Sequence, residues 1–176
     1  MILKLKQTPA IFLVGFMGSG KTTIGKLLAE KLGWTFVDLD EDIERSQQTS
    51  IAAIFENQGE AAFRAMESKA LLDRVREVRK GKPLVIALGG GAFAQPGNPG
   101  LLEQYGVTVW LDCPLEAIRR RIARETHRPL ARDAVKFEEL FHARRAAYSQ
   151  AEYTIPVTDD DPRVAVDAIL ALSVFK

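Results

Sequence analysis

Lysine and threonine side chains follow a glycine-rich turn near the start of the chain, in the stretch GFMGSGKTT, Gly15–Thr23. The stretch fits the pattern G-x-x-x-x-G-K-[S/T], in which backbone N–H groups approach phosphate oxygens closely because glycine has no side chain to block them. In that pattern the Lys21 ammonium reaches the β- and γ-phosphates, and the Thr22 hydroxyl binds Mg²⁺. The predicted nucleotide-binding residues are Gly15, Gly18, Ser19, Gly20, Lys21, Thr22 and Thr23.

Two carboxylates, Asp38 and Asp40, come after the next apolar run, in FVDLDEDIE. If the chain stays extended here, residues i and i+2 point to the same side, and both carboxylates face the nucleotide. A carboxylate in that place holds Mg²⁺, directly or through water, or positions a hydroxyl nucleophile. The alternative is that the acids only open a helix, where negative charge is favourable, and Glu41, Asp42 and Glu44 fit that alternative.

Arginines and glycines farther along the chain suit an anionic acceptor molecule. Arg64 and Glu67 lie three residues apart in GEAAFRAMES, on one face of a predicted helix. Gly89–Gly91 follow a predicted strand, where a ligand can contact bare N–H groups. A solvated ion pair and a tight turn are the alternative interpretations of these two features.

Three more arginines lie in or near a polar segment late in the chain. Arg128 belongs to HRPL in that segment, and Arg144 and Arg145 belong to ARRAAY in the helix after it. An arginine in a closing loop neutralises charge on the transferring phosphoryl group. Paired arginines suit a carboxylate, because the guanidinium fork binds two oxygens at once.

The elements that must position these side chains are short apolar strands alternating with amphipathic helices. This alternation predicts an α/β three-layer sandwich, with a five-stranded parallel sheet flanked by helices. Ligands of such sheets bind beyond the carboxyl ends of the strands. The predicted strands are Ala10–Val14, Thr35–Leu39, Leu84–Leu88, Val107–Leu111 and Tyr153–Val157. Besides a helix that Gly33 ends, the predicted helices are Glu60–Arg79, Leu115–Arg124, Phe137–Tyr148 and Pro162–Leu172.

Composition narrows the function classes. With 176 residues, 47% of them apolar, the chain suits one folded domain over residues 1–176. A net charge of +1 argues against a broad nucleic-acid surface. Cys113 is the only cysteine, so no disulfide forms within the chain. Without a secretory segment or a membrane-spanning apolar run, we expect a cytoplasmic location and no membrane partner.

The residues after the third predicted strand indicate the class of phosphate-loop protein. The segment VIALGGG carries no acid there, and no N-K-x-D pattern specifies a guanine base. Both observations favour a kinase for a small molecule, in which the acceptor hydroxyl replaces water. A kinase for another polyol acid such as gluconate, and a nucleotide-binding switch without kinase activity, remain the alternatives.

The chain resembles the shikimate kinase family, phosphate-loop enzymes similar to nucleoside monophosphate kinases. The resemblance rests on the phosphate loop together with D-x-D, G-E-x-x-F-R-x-x-E, G-G-G and R-P-L, and extends over about residues 10–172. It implies transfer of the ATP γ-phosphate to the 3-hydroxyl of shikimate with Mg²⁺, in the chorismate route to aromatic amino acids. It also implies a lid loop at about 121–136 and an acceptor-binding helical region at about 41–80. Size and family favour a monomer.

The resemblance also implies residue roles. Lys21 and Thr22 match the loop's lysine and metal-binding hydroxyl, and Asp38 matches the acid that holds Mg²⁺ through water. Asp40 matches the acid that binds the shikimate hydroxyls and is the candidate base. The remaining matches are Arg64 and Arg144 for the shikimate carboxylate, Glu67 beside Arg64, Gly89, Gly90 and Gly91 along the ring, Arg128 at the γ-phosphate and Arg121 on adenine.

Two segments depart from the family pattern. The segment after the last strand reads TDDDPR, which places Asp159 and Asp160 where relatives often carry a basic residue beside adenine. The helix after the lid ends in ARRAAY, which leaves open whether Arg144 or Arg145 meets the carboxylate. His127, His142, Trp34 and Trp110 are interpreted as structural or surface residues.

Overall fold

The central strand of the sheet is buried on both faces. A computed structural model describes residues 10–124 and 133–175. β1 (Ala10–Val14) is at most 1% exposed along its whole length, so its five apolar residues read as a continuous run. The other strands are β2 (Thr35–Asp38), β3 (Leu84–Ala87), β4 (Val107–Asp112) and β5 (Tyr153–Pro156).

All neighbouring strands are parallel, in the order β2-β3-β1-β4-β5. The chain leaves β1 for the β2 side of the sheet and crosses after β3 to β4 on the other side. This reversal of direction at β1 marks the crevice in which open α/β sheets bind ligands. The five-stranded parallel sheet flanked by helices was predicted from the sequence and is confirmed.

Helices fill the connections between strands, and local sequence sets their ends. Gly33 ends the first helix in a left-handed conformation, with φ of 66°. Asp161 caps the last long helix, which has Pro162 in its first turn, as the sequence predicted. The helices are α1 (Lys21–Leu32), α2 (Leu39–Gln47), α3 (Ile51–Arg79), α4 (Asn98–Glu103), α5 (Leu115–Ala123), α6 (Ala134–Tyr148) and α7 (Pro162–Leu170), followed by a 3₁₀ turn (Ser173–Phe175).

Several features of the fold differ from the sequence prediction, and α6, for example, begins at Ala134 rather than Phe137. The short helix α4 was not predicted, and α2 corresponds to the helix that the sequence offered only as an alternative interpretation of its acids. The helix α3 begins at Ile51 rather than Glu60, and Gly59, with φ of 84°, breaks it into two parts. Single-residue differences occur at the ends of several strands, and β2 already ends at Asp38 because that side chain caps α2.

Hydrophobic packing forms one main core and a smaller cluster. The main core surrounds the sheet, and the smaller cluster of Ile43, Ile54 and Phe63 joins α2 to α3. Cys113 is buried directly after β4. None of the helices in residues 10–124 and 133–175 combines the length and the apolar character that a membrane crossing needs.

Candidate active site

The glycine-rich turn lies at the carboxyl end of β1 and leads directly into α1. Gly18 and Gly20 have φ of 77° and 95°, which residues with a side chain rarely adopt. The turn therefore presents backbone N–H groups and the amino end of α1 at one point, an arrangement that favours bound phosphate. Lys21 Nζ lies 2.7 Å from the Gly15 carbonyl oxygen and 3.0 Å from that of Phe16, so its ammonium rests on the loop.

A hydroxyl and a carboxylate meet beside the loop. Thr22 Oγ1 donates a hydrogen bond of 2.7 Å to Asp38 Oδ2. The other oxygen, Asp38 Oδ1, accepts from the backbone N–H groups of Asp40 and Glu41 at 3.0 and 3.3 Å. Asp38 is thus both the N-cap of α2 and the partner of Thr22.

The Thr22–Asp38 pair fits a divalent cation of the Mg²⁺ type. Both groups offer oxygen ligands, which Mg²⁺ prefers, and they border the phosphate loop. In the described part of the chain, no group of three or more His, Cys, Asp or Glu side chains is arranged to hold a metal. An ion held by one or two side chains together with substrate phosphates needs no such cage.

Asp40 lies in the first turn of α2, so the extended segment expected from the sequence is wrong and the alternative, a helix opened by these acids, is present. Its carboxylate nevertheless faces the site, and Oδ1 is buried without a hydrogen-bond partner among the described residues. Burial, and then the neighbouring Asp38 charge, raise the pKa of Asp40 from 3.8 to about 6, although Lys21 opposes the shift. A carboxyl group with a pKa near neutrality suits general-base chemistry.

Arg64 and Glu67 form an ion pair on one face of α3. Arg64 Nη1 lies 2.8 Å from Glu67 Oε1, and the Glu67 residue is only 2% exposed. Burial raises the pKa of Glu67, while the hydrogen bond from Arg64 opposes that shift. Arg64 Nε is buried and has no hydrogen-bond partner among the described residues. The pair is therefore a built feature of the interior, unlike a solvated surface pair.

The three consecutive glycines after β3 each lie against one of these polar side chains. A Cβ atom placed on Gly89 would lie 2.6 Å from Asp40 Oδ1. On Gly91 it would lie 2.5 Å from Arg64 Nη2. On Gly90 it would lie 2.9 Å from Arg144 Nη1 and 3.9 Å from the backbone nitrogen of Met17, in the phosphate loop. The glycines therefore bring one carboxylate and two guanidinium groups to the edge of the phosphate loop.

The two arginines of α6 point to different places. Arg144 lies beside Gly90, and its charge opposes the rise that burial causes in the pKa of Glu67 and in the pKa of Tyr148. Arg145 instead forms a two-pronged ion pair with Asp112, with nitrogen–oxygen distances of 2.5 and 3.2 Å. Of the two arginines, Arg144 is therefore the one that lies against Gly90, next to the phosphate loop.

Arg121 also contacts the phosphate loop. Its Nη1 donates to the Gly18 carbonyl oxygen at 3.1 Å and to Cys113 Sγ at 3.4 Å, and its Nη2 lies 3.3 Å from Asp160 Oδ1. The unusual acidic segment after β5 thus supplies a carboxylate to Arg121. Because these hydrogen bonds use the edge of the guanidinium, its flat face can stack on a planar base.

The remaining arginine, histidines and tryptophans discussed from the sequence lie on the surface, against the core or outside the described residues. Arg128 and His127 lie outside the described residues. His142 is exposed on α6, with Glu138 at 3.6 Å, and Trp34 and Trp110 pack against the main core.

Tyr148 and Asp112 were missed by the sequence reasoning. The Tyr148 hydroxyl donates to the Gly90 carbonyl oxygen, and Asp112 binds Arg145. Two sequence signals could have identified them: Asp112 is an acid at the end of a predicted strand, and Tyr148 follows Arg144 by four residues.

Comparison with known proteins gives consistent matches. A family model described as shikimate kinase matches residues 17–173. The shikimate kinase of Synechococcus elongatus is 44% identical over 164 residues, covering 91% of this chain and 84% of that protein. The shikimate kinase of Persephonella marina is 42% identical over 161 residues, covering 91% and 96%.

Solved structures agree in fold. Shikimate kinase from Acinetobacter baumannii in complex with shikimate has a TM-score of 0.85 and 38% identity, covering 97% of this chain and 95% of that one. Shikimate kinase from Aquifex aeolicus has a TM-score of 0.80 and 36% identity, covering 92% and 94%.

Proposed function

Since the chain belongs to the shikimate kinase family, we propose that it transfers the γ-phosphate of ATP to the 3-hydroxyl of shikimate. The acceptor oxygen forms a bond to the γ-phosphorus, the bond from that phosphorus to the β–γ bridging oxygen breaks, and ADP leaves. The observation that carries this proposal is the meeting of Asp40, Arg64 and Arg144 at Gly89–Gly91, next to the phosphate loop.

The acceptor side supports a hydroxy acid as substrate. Arg64 and Arg144 offer two guanidinium groups for one carboxylate, and the buried Glu67 reduces the repulsion between them. Asp40 accepts hydrogen bonds from the acceptor hydroxyls and takes the proton of the attacking one at Oδ1 or Oδ2. Fixing the acid at both ends orients the hydroxyl, and orientation supplies much of the rate of phosphoryl transfer.

The nucleotide side is formed by the phosphate loop and its neighbours. Backbone N–H groups at Gly15–Thr23 bind the phosphates, and Lys21 stabilises the charge on the transferring group. Arg121 binds the base with its flat face. Thr22 and Asp38 would hold Mg²⁺, which would neutralise phosphate charge. Arg128 is proposed to approach the γ-phosphate, on the family resemblance alone.

A coupled assay of ADP release tests this function. We expect turnover with shikimate and far less with gluconate, quinate or nucleoside monophosphates. Preferred turnover of gluconate would favour the other polyol-acid kinase, and nucleotide binding without consumption would favour a switch. Lys21→Ala should abolish turnover in the same assay, whereas Lys26→Ala, a nearby lysine outside the loop, is the matched control.

Substitution of Arg64 tests the acceptor assignment separately. Arg64→Ala should raise the shikimate KM by about 100-fold, because an arginine–carboxylate interaction is lost, and should leave the ATP KM within about twofold. Equal effects on both substrates would contradict the carboxylate role. We also propose that the chain acts as a monomer on small molecules alone.

A further inference from the structure

Arg145 and Asp112 form an ion pair for which the proposed reaction gives no role. The guanidinium fork meets the carboxylate with both terminal nitrogens, at 2.5 and 3.2 Å, although the residues lie 33 positions apart. Both terminal nitrogens are engaged, so Arg145 has no free fork to offer a substrate carboxylate. The two side chains are 37% and 27% exposed, so the pair is only partly shielded from solvent.

Asp112 is a rigid attachment point. It is the last residue of β4, and its carbonyl oxygen accepts a hydrogen bond of 2.9 Å from Val157. Two residues earlier, Trp110 pairs with Val14, directly before the phosphate loop. A Cβ atom on Gly15 would lie 2.9 Å from the Leu111 carbonyl oxygen. The carboxylate thus projects from the sheet beside the phosphate loop.

Aromatic rings restrict the guanidinium of Arg145 further. Its central carbon lies 4.9 Å from the Trp110 ring centre and 5.5 Å from that of Phe141. Phe141 in turn packs edge-to-face on Phe16 of the phosphate loop. The guanidinium contacts aromatic rings and also donates two hydrogen bonds to one carboxylate, so it can adopt few other orientations. Only arginine offers both kinds of contact, because lysine has no planar group.

Arg144 precedes Arg145 on the same helix. Consecutive helical residues point about 100° apart, so fixing Arg145 on Asp112 sets the rotation of α6 and the direction of Arg144. One turn later, Tyr148 binds the Gly90 carbonyl oxygen. We propose that Arg145 is a positioning residue, which holds α6 on the end of β4 so that Arg144 faces the acceptor carboxylate at Gly90. This inference rests on the proposed function.

Steady-state kinetics with a double-substitution cycle tests the proposal. Arg145→Met keeps the apolar stem and removes the fork. We expect it to raise the shikimate KM about tenfold, since a charged hydrogen bond is misplaced, with the ATP KM and kcat within about threefold. Arg76→Met, which removes a surface pair with Asp73, is the matched control and should change neither KM.

The decisive comparison is made in an Arg144→Met background. If Arg145 acts through Arg144, adding Arg145→Met there should raise the shikimate KM by less than about twofold more. If the rises in shikimate KM caused by the two substitutions multiply in the double variant, the proposal is overturned. A larger rise for Arg145→Met than for Arg144→Met would also overturn it, because Arg145 would then be a direct ligand.

A second variant and a binding measurement guard against misfolding. Asp112→Asn removes the negative charge with little change of shape. Like Arg145→Met, it should raise the dissociation constant for shikimate in calorimetric titration. Unchanged binding by folded Asp112→Asn would overturn the proposal. Failure of the unsubstituted chain to turn over shikimate would instead overturn the proposed function, and this inference with it.

Discussion

At the scale of the residue, the proposed role of Asp40 and its environment favour opposite protonation states of its carboxyl group. In the proposed reaction its carboxylate must be ionised to accept a proton, yet burial and the Asp38 charge raise its pKa and favour the neutral form. The helix end that holds it and the glycine beside it leave Oδ1 without a hydrogen-bond partner among the described residues. Such an unsatisfied, shifted group is typical of a catalytic position and is costly for folding.

The first prediction concerns the pH dependence of catalysis. Because Asp40 acts only when ionised, kcat/KM for shikimate at saturating ATP should fall by about tenfold per pH unit below about 6. Asp40→Asn should lower kcat by about 100-fold or more and remove this acidic limb. Glu41→Gln, an exposed acid in the same helical turn, is the control and should keep the limb. A limb that persists in Asp40→Asn would contradict the assignment.

The second prediction concerns stability. The pKa of Asp40 is raised from 3.8 to about 6, so the folded state binds the proton more tightly than the unfolded chain does. The associated stabilisation is fully present below pH 3.8 and is lost as pH rises through about 6. Asp40→Asn, which cannot ionise, should therefore raise the free energy of unfolding by about 3 kcal/mol at pH 8, but by only about 1 kcal/mol at pH 4.5. Urea denaturation at both pH values measures this, and an equal gain at both would contradict it.

The third prediction concerns the contact between Gly90 and Arg144. Gly90→Ala adds a methyl group 2.9 Å from Arg144 Nη1, and the flexible guanidinium must move away. The shikimate KM should rise about tenfold while the ATP KM stays within about twofold, because only the acceptor side is disturbed. Gly100→Ala, whose new methyl group meets nothing within 4 Å, should leave both unchanged. A rise in the ATP KM alone would contradict the placement of Arg144.

At the scale of elements, the short helix α2 positions Asp40 although it buries little apolar surface. It buries only Leu39 and Ile43, and its first turn carries three acids. Asp38 caps it and thereby turns Asp40 away from the direction of the strand. An ion pair between Arg74 and Asp42, at 2.6 Å, fastens α2 to α3. The carboxylate of Asp40 is thus supported by contacts far along the chain.

The sequence predicted the strands better than the short helices for a physical reason. Parallel strands buried on both faces require continuous apolar runs, which are visible locally. The helix α2 is short, buries only Leu39 and Ile43 and depends on the Asp38 cap, so the sequence offered it only as an alternative to an extended segment. The direction of Arg144 relative to Arg145 depends on Asp112, 33 positions from Arg145, and no local pattern encodes that contact.

The fourth prediction concerns the break in α3. Gly59 has φ of 84°, which a residue with a Cβ atom adopts only at a cost, although nothing lies within 4 Å of the position. Gly59→Ala should therefore lower the free energy of unfolding by about 1 kcal/mol. Gly100→Ala, which lies in the ordinary helical part of α4 with similar open space, should not lower it. Equal stability of the two variants in urea would contradict this explanation of the break.

On the scale of the whole molecule, the order of the strands brings the residues proposed to bind nucleotide and acceptor to the carboxyl ends of neighbouring strands. The phosphate loop follows β1, the glycines follow β3 on one side of it, and Asp112 ends β4 on the other. Three neighbouring strands therefore deliver the parts of the site at their carboxyl ends. The helix α6 crosses these ends and touches the phosphate loop, Gly90 and Asp112.

The fifth prediction concerns assembly. In residues 10–124 and 133–175 the large exposed apolar side chains are spread over three helices, as Phe55 and Leu72 on α3, Val135 on α6 and Val164 on α7. Scattered side chains of this kind do not form the contiguous patch that a stable interface needs. Light scattering after size-exclusion chromatography should give a single species of 19.5 kDa at all concentrations tested. A mass that doubles with concentration would contradict the proposed monomer.

Burial of Cys113 has a practical consequence for observing this molecule at work. It is the chain's only thiol, it is enclosed after β4, and burial raises its pKa, so little reactive thiolate is available to electrophiles. A cysteine introduced at an exposed position such as Val135 would therefore be the only thiol that reacts readily with a fluorescent dye. A dye attached there would report how α6 responds when each substrate is added, with hardly any background.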